Sequence, residues 1–189
     1  MKHPFPDSVR LIGKMTARFT SLSFRLSITL LSLASVAPLA SATPIPIGAV
    51  APKITTADQD GNPINLGAVF AEGYTLIYFY PKAGTPGCTA EACHLRDSFA
   101  ELKDKGIRVI GVSLDKPESQ KNFQTKNHLP FTLIPDADHA VSKSFGVPSF
   151  LGMDKRQSFL IHQGVVIWSD LNADPATQAD EVLQVVDHS

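Results

Sequence analysis

Cysteine is scarce in this chain, which has only Cys88 and Cys93 among its 189 residues. Two cysteines five positions apart cannot build a disulfide-rich scaffold, so we interpret them together as one local unit. The chain also lacks an Asn-x-Ser/Thr sequon, an internal repeat, a low-complexity tract, a phosphate-binding loop and a dinucleotide-binding fingerprint. Nothing in the sequence therefore indicates a repeat protein or nucleotide-dependent chemistry.

An excess of charge of either sign is absent as well. The formal net charge is -1, and 43% of the residues are hydrophobic. This composition excludes a disordered chain, a collagen-like chain and a polybasic nucleic-acid binder. The length is enough for one ordinary globular domain.

The first 42 residues differ in composition from the rest, with five Lys and Arg residues, the single acid Asp7 and an apolar run at 26–37. The run is too short to cross a bilayer, which needs about 20 apolar residues. Ala40, Ser41 and Ala42 form a small-x-small signal-peptidase site. This pattern predicts that residues 1–42 are a signal peptide cleaved after Ala42. Export to a periplasm is the expected outcome.

Several alternatives for this segment stay open at the sequence level. Met15 could be the true start, since residues 15–42 have the length of an ordinary signal peptide. A noncleaved membrane anchor, a transit peptide leading to a thylakoid lumen, and secretion to the exterior are the other possibilities. In each case residues 43–189 remain as the predicted folded domain, with 12 Lys and Arg, 17 Asp and Glu, and a formal net charge of -5.

Alternating strand and helix patterns follow in the domain. Residues 53–57 and 64–66 flank the turn signal Asp60-Gly61-Asn62, which predicts an N-terminal hairpin. Residues 74–80 are aromatic or β-branched throughout, which predicts a central strand buried on both faces. Further along the chain, the pattern predicts strands at 108–114 and 131–134 and helices at 117–128 and 137–145.

A single amphipathic helix is predicted within 84–106, because Ala92, Leu95, Phe99 and Leu102 recur at helical spacing. Thr85 is its expected N-cap, Pro86 suits its first position, and Gly106 is expected to end it. Cys88 then lies in the first helical turn.

The end of the chain has the pattern of a hairpin followed by a helix. Residues 157–162 and 165–168 are separated only by Gln163 and Gly164, so these strands are predicted to pair antiparallel. Asp174 and Pro175 are expected to begin a last helix with an apolar face. The whole order predicts an α/β thioredoxin-like fold, with an N-terminal β-hairpin extension and a central mixed sheet flanked by helices.

The position of Cys88 predicts its chemistry. A thiol in a first helical turn meets free backbone amides and the positive end of the helix dipole, which favour the thiolate and hence a nucleophile. Cys93 lies beyond that influence. Five residues along an intact helix separate two Cα atoms by about 8–9 Å, whereas a disulfide tolerates about 7 Å. Joining the two cysteines therefore requires the start of the helix to unwind.

The residues around these cysteines resemble the peroxiredoxin signature. Pro81, Thr85 and Cys88 form the pattern Pro-x-x-x-Thr-x-x-Cys, which continues as Thr-x-Glu-Ala-Cys up to Cys93. This extended form is similar to the peroxiredoxin Q or bacterioferritin comigratory protein subfamily, and the resemblance extends over 47–187. One departure is the short connection between Pro148 and Lys155, which could alter the rim of the pocket or the surface that meets a partner.

The resemblance implies a thiol-dependent peroxidase that reduces hydrogen peroxide and organic hydroperoxides without a metal or an organic cofactor. It implies that Cys88 is the peroxidatic cysteine and Cys93 the resolving one, joined as a Cys88–Cys93 disulfide that a thioredoxin-like protein reduces. It also implies the roles of four further residues: Arg156 stabilises charge on sulfur and peroxide, Thr85 binds the peroxide, Pro81 shields the site from water, and Glu91 orients Thr85 or Arg156. We expect a monomer.

Simpler interpretations stand beside these. Taken without the motif, the cysteine pair could be a structural disulfide of an exported protein, Arg156 could pair with Asp154, and Glu91 could be an acid favoured by the helix dipole. A metal site at Cys88, Cys93 and His94 would lack a fourth ligand. A thiol-disulfide oxidoreductase, which would normally have two residues between its cysteines, and a nonenzymatic redox-switched binding protein are the alternative functions.

Overall fold

A five-stranded mixed sheet organises residues 43–189, the part of the chain that this computed structural model describes. The strands are β1 (Thr55–Ala57), β2 (Pro63–Asn65), β3 (Tyr74–Phe79), β4 (Ile107–Ser113), β5 (Thr132–Pro135), β6 (Ser149–Phe150), β7 (Met153–Asp154), β8 (Gln157–His162) and β9 (Val165–Asp170). The helices are α1 (Leu66–Phe70), α2 (Pro86–Asp97), α3 (Phe99–Asp104), α4 (Pro117–Lys126), α5 (Ala140–Ser144) and α6 (Gln178–Asp187).

The sheet has the order β5-β4-β3-β8-β9, so the strand predicted to be central is central. β3 pairs parallel with β4 and antiparallel with β8. Leu76 and Tyr78 face a core formed with α2, α3, α4 and α6, whereas Ile77 and Phe79 face a second core that includes residues of α1 and α5. Helices therefore cover both faces, and the predicted thioredoxin-like architecture is confirmed.

The N-terminal extension is the predicted hairpin with narrower bounds. β1 and β2 pair antiparallel around the turn at 58–62, but Leu66, predicted to be in a strand, begins α1. Asn65 caps this helix by accepting a hydrogen bond from the Ala68 amide at 3.1 Å. Ahead of the hairpin, the chain runs along the edge of β9, where the Ala51 amide donates to Gly164 O at 2.8 Å.

The prediction of one helix within 84–106 is wrong in one respect. Ser98 has φ -88° and ψ 2°, which separates α2 from α3. Phe99, the first residue of α3, packs on the core, with its ring centroid 6.1 Å from that of Phe131. Gly106 ends α3 at φ +71°, as predicted.

The last helix begins later than predicted. Asp174 accepts a hydrogen bond from the Ala176 amide at 2.9 Å, so it forms a separate turn. Thr177 is the N-cap of α6, which starts at Gln178. The predicted apolar face is confirmed, because Ala179, Val182 and Leu183 are buried.

Three elements were not predicted: α1, and the strands β6 and β7, which form a small hairpin inside the short connection between Pro148 and Lys155. The predicted signal peptide and its cleavage after Ala42 fall on residues 1–42, which lie outside the described residues. Within 43–189, no helix is long and apolar enough to cross a membrane.

Candidate active site

The loop between β3 and α2 positions the first cysteine. Pro86 begins α2, so Cys88 is the third residue of the helix, and its side chain is buried. Thr85 occupies the N-cap position with an extended backbone, as predicted, but its side chain makes no capping hydrogen bond. Instead its hydroxyl donates to Lys82 O at 3.0 Å, which leaves its oxygen free to accept from a ligand.

Arg156 reaches this cysteine from the strand beside β3. It directly precedes β8, whose first residue, Gln157, is paired with Phe79 at the end of β3. Nη2 of Arg156 donates to Cys88 Sγ at 3.3 Å, and Nη1 donates to Oε2 of Glu91. The guanidinium therefore bridges two residues of the same helix.

Glu91 is fully buried beside this guanidinium. Burial raises the pKa of Glu91 to about 8, and the charge and hydrogen bond of Arg156 oppose that shift. Only Oε2 bonds to Arg156, since Oε1 has no hydrogen-bond partner among the described residues. Glu91 was expected to orient either Thr85 or Arg156, and the residue that it contacts is Arg156.

Arg156 does not pair with Asp154, which was the simpler alternative. Asp154 is buried and accepts a hydrogen bond from the Ser149 hydroxyl at 2.7 Å. Burial raises the pKa of Asp154 to about 6. The bond between Ser149 and Asp154 ties β6 to β7.

Two tyrosines, Tyr78 in β3 and Tyr80 just after it, lie under the site, and sequence reasoning treated them only as strand residues. The rings of Tyr78 and Tyr80 have centroids 5.4 Å apart and are packed in the same core cluster as Cys88. Burial raises the pKa of Tyr78 well above its ordinary value, with Glu91 and Cys88 adding to the shift. The sequence signal that could have placed these tyrosines near the site is their clustering in a charge-free strand directly before the cysteine loop.

The second cysteine lies in the same unbroken helix. Both Cys88 and Cys93 are free thiols within α2, and Cys93 is half-buried. Arg96, one turn further on, has its pKa raised first by its hydrogen bond with Asp97, with Cys93 a smaller contributor. Its Nη1 also donates to Asn127 O at 2.9 Å. Sequence reasoning had not singled out this arginine.

The remaining predicted site residue, Pro81, lies two residues after the end of β3, next to the buried Tyr80. It lines a cavity of about 320 Å³ together with residues of the β6–β7 hairpin. Among residues 43–189, no three His, Cys, Asp or Glu side chains are grouped closely enough to hold a metal ion. The structure therefore brings Cys88, Arg156 and Glu91 into contact, with Thr85 and Pro81 on the same loop.

Comparison with known proteins gives consistent results. The AhpC/TSA family pattern matches residues 47–169. Peroxiredoxin Bcp of Escherichia coli K12 is 49% identical over 125 residues, which cover 62% of this chain and 80% of that protein. The chloroplastic peroxiredoxin Q of Sedum lineare is 38% identical over 143 residues, covering 74% of this chain and 76% of the relative.

A solved structure is similar over the same region. The peroxidoxin BcpB of Mycobacterium tuberculosis superposes with a TM-score of 0.71 at 30% identity, covering 75% of this chain and 96% of that one. The similarity therefore spans nearly the whole of that structure.

Proposed function

This chain belongs to the AhpC/TSA family, in its peroxiredoxin Q/Bcp subfamily, and from that premise we propose that Cys88 is the peroxidatic cysteine of a thiol-dependent peroxidase. The observation that carries the assignment is the contact of Arg156 Nη2 with Cys88 Sγ at 3.3 Å, in the first turn of α2. A permanent positive charge there stabilises the negative charge of the attacking sulfur.

The first step oxidises Cys88. Its thiolate attacks one oxygen of a hydroperoxide R–O–O–H, the O–O bond breaks, and the sulfur becomes a sulfenic acid. The other oxygen leaves and takes up a proton, giving an alcohol, or water when the substrate is hydrogen peroxide. Arg156 faces the charge that develops on these oxygens, and the Thr85 hydroxyl oxygen accepts a hydrogen bond from the peroxide O–H.

The second step joins the two cysteines. The Cys93 sulfur attacks the Cys88 sulfenic acid, and the sulfenic hydroxyl leaves with the Cys93 proton as water. Peroxiredoxins of this kind are reduced by thioredoxin-like partners, and such a dithiol would restore both thiols here by exchange. No metal or organic cofactor enters these steps, because the weak O–O bond supplies the driving force.

Rapid-mixing mass spectrometry tests the roles of the cysteines. The reduced protein should lose two hydrogens within seconds of adding one equivalent of hydrogen peroxide. Cys93→Ser should stop at the sulfenic acid or an overoxidised product, and Cys88→Ser should not react rapidly. Oxidation of the unsubstituted protein at the rate of an ordinary free thiol would disprove the assignment of Cys88.

We infer further that residues 1–42 are a signal peptide cleaved after Ala42, and that the domain acts as a monomer in a periplasm. The composition of the leader supports this inference, and the family match begins at residue 47. N-terminal sequencing of protein from fractionated cells should find Thr43 first in the periplasmic fraction. An intact leader in the membrane fraction would favour an anchor instead, and light scattering would test the monomer.

A further inference from the structure

The β6–β7 hairpin presents an apolar tip to solvent. Phe150 is 77% exposed, Leu151 79% and Met153 38%, so three of the six large apolar side chains exposed in residues 43–189 lie in one four-residue stretch. The other three are Ile47, Val50 and Leu171. Single exposed apolar residues are ordinary, but a cluster on a protruding turn indicates a contact surface.

The turn at this tip is also strained. Leu151 has φ +51° and Gly152 φ +72°, a combination that a two-residue hairpin normally meets with Asn-Gly or Gly-Gly. A leucine in the left-handed region is unfavourable, and exposing it to water is unfavourable again. Residues held in such conformations cluster at active sites and ligand-contacting segments.

Three exposed lysines surround the tip. Lys82 and Lys116 line one cavity with Leu151, and Lys155 lines the neighbouring cavity with Phe150. None of the ion pairs found within residues 43–189 includes these three lysines. The hairpin therefore combines an apolar centre with unpaired positive charge, although residues 43–189 carry a formal net charge of -5.

We propose that the β6–β7 hairpin docks this protein on an anionic lipid bilayer, with Phe150 and Leu151 in the interface and the three lysines facing lipid phosphates. Apolar side chains bordered by lysines are the pattern of interfacial membrane binding. Protein interfaces are enriched in Phe and Met, which the tip has, but they are depleted of lysine. The three lysines are therefore the feature that favours a lipid surface over a protein partner.

Docking in this way would place the peroxidase site close to the bilayer. Pro81, on the loop that leads into the helix of Cys88, lines both cavities beside the hairpin. The docking surface contains neither cysteine, so binding to lipid can be tested independently of the proposed function. If the protein does not bind lipid, the proposed peroxidase function is unaffected, and if it is not a peroxidase, lipid binding can still occur.

The experiment places a fluorescent reporter at the tip of the full chain. Phe150→Trp is combined with Trp168→Phe, since Trp168 is the only native tryptophan. Vesicles of phosphatidylcholine with 30% phosphatidylglycerol, carrying brominated acyl chains, should quench the indole at low salt. Quenching should weaken in 0.5 M NaCl and be small with phosphatidylcholine alone.

Two matched sets of lysine variants test whether the hairpin is the part of the surface that binds lipid. Lys82→Gln, Lys116→Gln and Lys155→Gln together should weaken binding about fivefold for each lysine. The same charge change at exposed lysines elsewhere, made with Lys53→Gln, Lys103→Gln and Lys143→Gln, should leave the quenching unchanged. Equal loss in both triple variants would overturn the proposal.

Leu151→Asn separates docking from folding, because Asn adopts a positive φ more readily than Leu. The variant should keep its thermal stability and its turnover of hydrogen peroxide, yet lose most of the quenching. An unquenched indole in every vesicle would overturn the proposal. So would a case in which Leu151→Asn raises only the KM for a thioredoxin-like reductant, since that would assign the hairpin to a protein partner.

Discussion

Nη2 of Arg156 lies 3.3 Å from Sγ of Cys88, although the two residues are 68 positions apart in the chain. The antiparallel register of β3 and β8 creates this contact, because Phe79 is paired with Gln157 and the chain segments beyond that pair meet at one edge. Arg156 also holds Glu91, three residues after Cys88. One guanidinium therefore fixes the position of the first turn of α2 relative to the sheet.

Arg156→Lys should slow the oxidation of Cys88 about 100-fold, the loss expected when a charge-stabilising donor is removed. Lysine keeps the charge but lacks the planar fork that contacts Cys88 and Glu91 together. Stopped-flow measurement of the second-order rate constant with hydrogen peroxide checks this. Arg108→Lys, at an exposed arginine paired with Glu72, is the control and should react as the parent does. An unchanged rate in Arg156→Lys would show that the bidentate contact of Arg156 with Cys88 and Glu91 is not needed for the oxidation of Cys88.

Glu91→Gln should change the pH dependence of the same rate constant. Burial raises the pKa of Glu91 to about 8, so below pH 8 its carboxyl is largely protonated and the Arg156 charge acts undiminished on Cys88. Above pH 8 the carboxylate neutralises part of that charge. The rate of the parent should therefore show an inflection near pH 8 that Glu91→Gln lacks. The same inflection in both proteins would exclude Glu91 as its source.

Opening of α2 should limit formation of the disulfide, since both cysteines lie in one unbroken helix. Gly87→Ala stabilises the first turn by about 1 kcal/mol of helix propensity, and its Cβ would lie at an ordinary 3.5 Å from Arg156 Nη2. The sulfenic acid should then persist up to about fivefold longer.

A substitution that weakens the same helix, α2, can also be made. Ala90 is exposed, so Ala90→Gly should weaken the helix by a similar amount and shorten the lifetime of the sulfenic acid. Trapping with dimedone at timed intervals measures both variants. If the two variants shift the lifetime in the same direction, helix opening does not limit the step.

Asp154→Asn should flatten the pH dependence of stability between about pH 4 and 6. Burial is the largest cause that raises the pKa of Asp154 to about 6, Asp136 adds to the shift, and His139 opposes it. In this window the native carboxyl keeps a proton that the unfolded chain releases, so the free energy of unfolding falls as pH rises.

The loss attributable to Asp154 is at most about 3 kcal/mol, at 1.36 kcal/mol for each pKa unit. Urea unfolding at a series of pH values measures the difference between variant and parent, and Asp104→Asn, at an exposed helix end, provides the control. A parallel pH profile for Asp154→Asn and the parent would show that this carboxyl does not titrate as expected.

Local pattern was enough to predict most elements. The charge-free aromatic stretch that became β3 has no polar face to expose, so it had to lie inside the sheet. Pro86 predicted the first residue of α2, and Gln163 with Gly164 predicted a tight hairpin, which both residues form with positive φ. Each of these signals acts within a few residues, where backbone sterics and periodic burial dominate.

Contacts between residues distant in sequence could not be predicted from local patterns. No local signal pairs Arg156 with Glu91 across 65 residues, and only the resemblance to a family singled out Arg156. The break at Ser98 falls within a stretch of helical periodicity, so the local pattern did not predict it. The β6–β7 hairpin is too short to show a strand period.

The sequence by itself determined the order of most strands and helices along the chain, the helical position of Cys88 and the spacing that prevents a disulfide in an intact helix, because propensity, capping and periodicity are properties of neighbouring residues. Only the tertiary structure decided which charge faces the sulfur, why Glu91 is buried and where the apolar tip stands. Those outcomes depend on the register of β3 with β8 and on packing between residues distant in sequence, whose energies no local pattern contains.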